Sequence, residues 1–222
     1  MHFEILVEGQ CELTALSMLM PKIVGEYEAP HTWKIHKHRG IGRLPDDPAE
    51  PPNKKDPTLL HNLPSKLRAY GNCRSPEQKV IVLVDLDDRE DCAVFKQQLA
   101  SMLDYCDRKP VTLFRIAIEE LEAWFLGDRE AILKAYPSAK MDALDHYVQD
   151  SQCGTWETLA DIVHPGGAKA LETDYGKRSS RVLEQKRDWT KNIAEHMEIQ
   201  RNHSGSFCAF RDGLQNLIEA NP

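Results

Sequence analysis

Lys79-Val80-Ile81-Val82-Leu83-Val84-Asp85-Leu86-Asp87-Asp88 is the stretch that decides the fold. Five successive apolar residues, four of them β-branched, run directly into carboxylates. A run that short and that uniformly apolar is the pattern of a strand buried on both faces, central in a parallel sheet. The acids fall where the strand stops, and open α/β sheets place their chemistry at that carboxyl edge. Asp85 and Asp87 lie two apart, so extended backbone would direct both side chains to one face and toward one cation. Clustered carboxylates repel each other, and a hard divalent cation relieves the repulsion. Capping the next helix would need one acid, and here there are three.

Working outward, Phe3-Glu4-Ile5-Leu6-Val7 is a second apolar strand that ends in Glu8-Gly9-Gln10. Gly9 permits the tight turn into a helix, along which Leu13, Leu16, Leu19 or Met20, and Ile23 recur at helical spacing. Pro21 is expected to kink that helix or begin a new turn. Residues 33–38 form a further strand, ending in the basic edge Lys37-His38-Arg39. The proline-rich stretch 40–57 is a long surface loop. A helix over 59–70 leads into the central strand, and another over about 91–106 leaves it. The fourth strand, 111–118, runs into Glu119-Glu120-Leu121-Glu122-Ala123-Trp124.

This alternation predicts an α/β fold with a mainly parallel sheet flanked by helices. Residues 1–127 would form the α/β core and residues 128–222 a helical C-terminal region packed on it. Helical patterns there cover about 128–135, 155–163, 179–199 and 205–219, with Gly166-Gly167 in a loop.

Composition narrows the class. A chain of 222 residues with 41% hydrophobic and 28% charged residues can bury a full core. The first residues lack a signal-peptide pattern and no apolar run reaches membrane-span length, so a cytoplasmic protein without membrane contact is expected. Six scattered cysteines without a C-x-x-C pair argue for reduced thiols. A net charge of −7 means that any nucleic-acid contact must come from local basic patches, metal ions or a partner.

In a parallel sheet every strand's carboxyl end lies on one edge. Glu8, Asp85 with Asp87, and Glu119 with Glu120 are therefore expected to converge there. Oxygen donors in that number suit Mg²⁺ or Mn²⁺, which keep several waters and take remaining ligands from substrate phosphate. The implied chemistry is phosphoryl transfer or phosphodiester hydrolysis. Lys37, His38 and Arg39 stand beside this edge as candidate phosphate contacts, although His38 alone reads as a surface histidine. Lys177, Arg178, Arg181, Lys186, Arg187 and Lys191 read as a solvated helix face, because Glu184 and Asp188 are interleaved. Trp124 and Phe125 read as core, Glu122 as a local cap or pair, and Ser204 and Ser206 as helix caps.

With Glu8 after the first strand and Asp85-Leu86-Asp87 after a later one, the chain resembles the TOPRIM domain of topoisomerases, primases and nucleases of the overcoming-lysogenization-defect type. More closely, Val7-Glu8-Gly9-Gln10 with Glu12, Asp85-Leu86-Asp87-Asp88, Glu120-Leu121-Glu122-Ala123-Trp124 and Asn202-His203-Ser204-Gly205-Ser206-Phe207 look like a bacterial TOPRIM-like family known only as a domain of unknown function (number 4276). That resemblance spans nearly the whole chain. It implies a TOPRIM-like (Rossmannoid) core and a metal-dependent nuclease of anti-phage defence, acting on DNA or RNA beside an ABC- or SMC-like ATPase. Carried onto this sequence, Glu8 would be a metal ligand or general acid/base, and Asp85 and Asp87 would hold the metal. Glu120 is a candidate ligand, with Glu12, Asp88 and Glu122 as supporting groups. The sequence departs from that pattern in showing no lysine or arginine cluster beside the acids. A haloacid-dehalogenase-like phosphatase also carries an Asp-x-Asp after an apolar strand, but on its first strand. A noncatalytic partner subunit is the third alternative.

Overall fold

The computed structural model describes residues 1–73, 75–176 and 179–220. Four strands, β1 (His2–Val7), β2 (Thr32–Lys37), β3 (Gln78–Asp85) and β4 (Thr112–Ala117), form one sheet in the order β2-β1-β3-β4. All three pairings are parallel, with Ile5 opposite both Ile35 and Ile81, and Val82 opposite Phe114. The two interior strands, β1 and β3, are the two most buried. Val80 through Val84 are almost wholly buried, as a strand covered on both faces requires.

Side-chain alternation along β3 divides the core into two layers. Val80, Val82 and Val84 face Leu6 and the helices α2 (Leu59–Asn72) and α3 (Cys92–Ser101). Ile81 and Leu83, with Phe3, Ile5 and Val7, face α1 (Gln10–Val24) and the C-terminal helices. Those helices are α4 (Glu122–Leu126), α5 (Arg129–Ala135), α6 (Asp142–His146), α7 (Thr155–Val163), α8 (Gly167–Tyr175), α9 (Ser180–His196) and α10 (Gly205–Glu219). Trp124, Phe125, Trp189, Phe207 and Phe210 bring the C-terminal segment into the same apolar layer as Leu16 and Leu19 of α1.

Some local expectations change. Helix α1 runs unbroken through Pro21 to Val24. The expected 91–106 helix is α3 followed by a 3-10 turn, Met102–Tyr105. Gly167 opens α8 instead of lying in a loop. Helix α6, like α8, forms where the sequence pattern gave no signal.

From β1 the chain passes outward to β2, then returns across β1 to β3 on its other side. The order reverses between β1 and β3, and the crevice at such a reversal is where open α/β sheets bind ligands. Glu8 follows β1 and Asp85 ends β3, so both carboxylates are delivered to that crevice. Among the described residues no helix is long and apolar enough to cross a membrane.

Candidate functional site

Glu8 and Asp85 meet across the two central strands: Glu8 Oε1 accepts the Asp85 backbone N–H at 2.7 Å. Glu12, one turn into α1, folds back so that Oε2 accepts the Gly9 N–H at 2.8 Å. A Cβ at Gly9 would lie 3.3 Å from that same oxygen, so the absence of a side chain there keeps the fold-back open. Glu122 enters from α4 and is only 3% exposed. These four carboxyls, with Gly9, Gln10, Cys11, Gly40, Leu183, Lys186 and Arg187, line a cavity of about 210 Å³.

The electrostatics are those of a site short of positive charge. Burial, then the charges of Glu8, Glu12, Glu122 and Glu120, push the Asp85 carboxyl well above the usual carboxylate range. Burial pushes Glu8 up to about 8, against the Asp85 N–H that favours its charged form, with Glu12 and Asp87 adding repulsion. Glu12 is raised mainly by burial and then by Glu122. Glu120 is raised to about 7 by burial and by Glu122. Burial and the Glu122 charge also raise the Cys11 thiol to about 12, which keeps it protonated and a poor nucleophile. Among the described residues, Asp85 Oδ1 is shielded from water and lacks a hydrogen-bond partner.

One cation does enter the cluster, from an element that the sequence pattern assigned to solvent. Lys186 on α9 places Nζ 3.1 Å from Glu122 Oε1 and 3.3 Å from Glu120 Oε2, with its side chain only 17% exposed. Burial disfavours its charge, but Glu122 and Glu120 hold it protonated above the usual lysine range. The expected solvated face is thus corrected at Lys186, because the apolar face of α9 carrying Val182, Trp189 and Ile193 turns this residue inward. Arg187 likewise lines the cavity. Lys177 and Arg178 of the same expected patch lie outside the described residues.

The pairing of Asp85 with Asp87 is a second correction. Strand β3 ends at Asp85, and Asp87 adopts φ 50°, so the two-residue alternation stops between them. Asp87 is 42% exposed and pairs with Arg89 at 3.2 Å. It lines a neighbouring acidic cavity of about 510 Å³ with Asp88, Glu119, Glu120 and Glu157. Glu119 also has a left-handed backbone, φ 60°, and its carbonyl accepts the Asp87 N–H at 2.8 Å. Two non-glycine residues in this region hold a strained turn at the sheet's edge. The Glu119 carboxylate turns away from the cluster. It accepts the N–H groups of Cys153, Gly154 and Thr155 at 2.8–3.1 Å, at the start of α7.

The remaining sequence candidates divide between rim and scaffold. Gly40 N–H bonds the Glu8 carbonyl and His38 N–H the Val7 carbonyl, so the end of β2 borders the acids. Lys37 and Arg39 there are exposed, and Lys37 Nζ donates to Gln10 Oε1 at 2.5 Å. His38 is half-buried with Nδ1 2.8 Å from the Val7 carbonyl, not an isolated surface group; burial lowers its pKa. The Asn202–Phe207 segment is scaffold. Asn202 Nδ2 donates to the Trp124 carbonyl at 2.7 Å, and Ser204 Oγ caps α10 by accepting the Phe207 N–H. Ser206 is not a cap: its Oγ accepts the Trp124 Nε1–H at 3.1 Å, while its own N–H goes to Asp150. These bonds lock α10 to the turn that carries Glu120 and Glu122. Lys186 is the residue that sequence pattern missed; its only signal was a lysine on the apolar side of an amphipathic helix.

A family model of a domain of unknown function, DUF4276, matches residues 7–215. The chain belongs to the DUF4276 family. The DUF4276 match takes in the carboxylate cavity, Lys186 and the segment that locks Trp124. No curated protein and no solved structure matches the chain.

Hard oxygen donors are the only kind the cavity offers in number, which suits Mg²⁺ or Mn²⁺ better than a soft metal. Among the described residues no group of three or more His, Cys, Asp or Glu side chains is arranged so that it could hold a metal ion by itself. Mg²⁺ does not require one, since it is commonly held by one or two carboxylates plus waters and substrate phosphate. The shielded Asp85 Oδ1 is the donor left for such an ion.

Proposed function

We propose that this DUF4276 chain is a metal-dependent nuclease built on a TOPRIM-like core, with Mg²⁺ or Mn²⁺ held by Asp85 and Glu8 and supported by Glu12. The observation that carries it is Asp85: a carboxylate at the sheet's topological switch point, among four other carboxyls, with one shielded oxygen unpartnered. Such an oxygen is costly to bury unless a proton or a cation meets it. The ion would supply a polarised phosphodiester and an activated water.

The chain's own residues supply the rest. Glu8, pushed up to about 8 by burial in the metal-free chain, would give up its proton to become a ligand when the ion binds. Lys186 presents a fixed positive charge, and Arg187, Lys37 and Arg39 at the rim are positioned to meet backbone phosphates. Asp87 and Asp88, in the adjoining cavity, would act at longer range or on a second part of the substrate. A haloacid-dehalogenase-like phosphatase using Asp85 as nucleophile is disfavoured, because Asp85 ends the third strand in chain order, β3, and not the first. An overall charge of −7 favours work alongside a partner that grips nucleic acid, such as an ABC- or SMC-like ATPase.

The test is cleavage of plasmid, single-stranded DNA and structured RNA in Mg²⁺ or Mn²⁺, with and without an ATPase encoded beside the gene. Cleavage lost in Asp85→Asn and Glu8→Gln is the expected result. Cleavage that persists undiminished in Asp85→Asn, or that never occurs under any of these conditions, refutes the proposal.

A further inference from the structure

Lys186 occupies a position that has no counterpart in a plain carboxylate metal site. Its ammonium spans Glu120 Oε2 at 3.3 Å and Glu122 Oε1 at 3.1 Å, and the Trp156 ring covers it with its centroid 5.7 Å from Nζ. Glu122 opens onto the cavity that holds Glu8 and Asp85, and Glu120 onto the neighbouring acidic cavity. The bridge therefore stands between the two. Helix α9 is anchored through buried Val182 and Trp189 on either side of Lys186, which fixes where the ammonium can reach.

Sites that use two divalent ions place them about 3.5–4 Å apart, with carboxylates shared between them. Here the acids fall into two halves. Glu8, Glu12 and Asp85 have no lysine or arginine in salt-bridge contact among the described residues; Glu120 and Glu122 are already engaged by one. We infer that the Lys186 ammonium stands in for a second divalent ion, so that the site takes one ion in the Glu8–Asp85 half while Glu120 and Glu122 remain bound to the lysine. This rests on the metal site proposed above, and it removes Glu120 from the ligand set of the wild-type protein. It also assigns the DUF4276 chain one-metal chemistry, with a fixed organic cation in place of the second ion.

Counting ions tests this without any cleavage assay. The full-length chain is titrated with Mn²⁺ at pH 8, and free Mn²⁺ is followed by electron paramagnetic resonance. Wild type and Lys186→Arg should bind one equivalent. Lys186→Ala should bind two, Asp85→Asn none, and the Asp85→Asn/Lys186→Ala double variant one. Should Lys186→Ala fail to fold by circular dichroism, Glu122→Gln decides the matter. It should keep the single ion and lose less affinity than the ~10–100-fold expected when a group supporting a metal ligand is removed. Two ions in wild type, one ion in folded Lys186→Ala, or loss of the ion in Glu122→Gln overturns the inference. No ion in wild type overturns both it and the metal site. One ion without cleavage leaves the inference standing and removes only the nuclease activity.

Discussion

Asp85→Asn should stabilise the metal-free protein while removing its capacity to be stabilised by metal. In the wild type, Asp85 is buried against Glu8, Glu12, Glu122 and Glu120, and its Oδ1 is shielded from water without a partner. A buried unsatisfied polar group costs about 1–3 kcal/mol. An amide of the same shape carries no charge, and its N–H₂ can donate to the neighbouring carboxylates. A gain of about 2 kcal/mol corresponds to roughly 4–8 °C for a chain of this size. The pH dependence carries the same sign. Glu8 rises from 4.5 to about 8 on folding and Asp85 also rises well above its usual value, so the folded state retains protons that the unfolded state has released. Stability is therefore full below the unfolded carboxylate values and falls as pH rises from about 4.5 towards 8. Each such proton contributes about 1.4 kcal/mol per pH unit to that slope. Thermal unfolding in EDTA should show wild-type Tm falling from pH 5 to 8, with a shallower fall in Asp85→Asn. In Mn²⁺ at about 100 times Kd, wild type should gain about 2.7 kcal/mol and overtake the variant. A variant less stable than wild type in EDTA at pH 8, or one equally stabilised by Mn²⁺, refutes this account of the cluster.

Three further outcomes test the scaffold. Arg201→Ala should cost about 2 kcal/mol by urea unfolding, because it removes the guanidinium, with Nε at 2.9 Å, from the fully buried Asp128 carboxylate and leaves it the Ala131 and Glu198 amides. The loss falls short of the ~3–5 kcal/mol for a fully buried pair, since Arg201 is 30% exposed. Gly127→Ala would place a Cβ 2.3 Å from Asn202 Oδ1 and 2.7 Å from the Ser204 backbone nitrogen. A loss of about 2 kcal/mol or more is expected there, with faster hydrogen exchange at the start of α10. Glu119→Gln weakens three charge-assisted bonds to the Cys153, Gly154 and Thr155 amides. Their exchange should quicken by ~10-fold or more, as a loss of about 1.5 kcal/mol implies; unchanged exchange would show that Glu119 does not hold the start of α7.

The order of the four strands and of the helices between them was legible in the sequence because it is written locally. Val80–Val84 reads as a doubly covered strand without knowledge of its neighbours, and the sheet places it second to none in burial. The meeting of Glu8 with Asp85 was legible for a related reason: parallel strands must deliver their ends to one edge, whatever their separation along the chain. What followed each strand was not. Asp87 and Glu119 leave the extended state through left-handed turns that hydrogen-bond to each other. Periodicity ends where a strand ends, and the direction of the next side chain depends on a turn partner more than thirty residues away.

By itself, then, the sequence determined the layer architecture and the delivery of acids to one rim, both consequences of burying apolar strands on two faces. Only the tertiary structure decided which acids share a cavity and which cation joins them. Lys186 lies on an amphipathic helix interleaved with charges, and its place on the stripe of Val182, Trp189 and Ile193 does not say which acids it would meet. Its placement follows from α9 packing against α1 and α5, which turns one lysine toward Glu120 and Glu122 and leaves the opposite face to water. Ion pairs between distant segments carry no local periodic signature; they exist only once hydrophobic packing has fixed how two elements lie against each other.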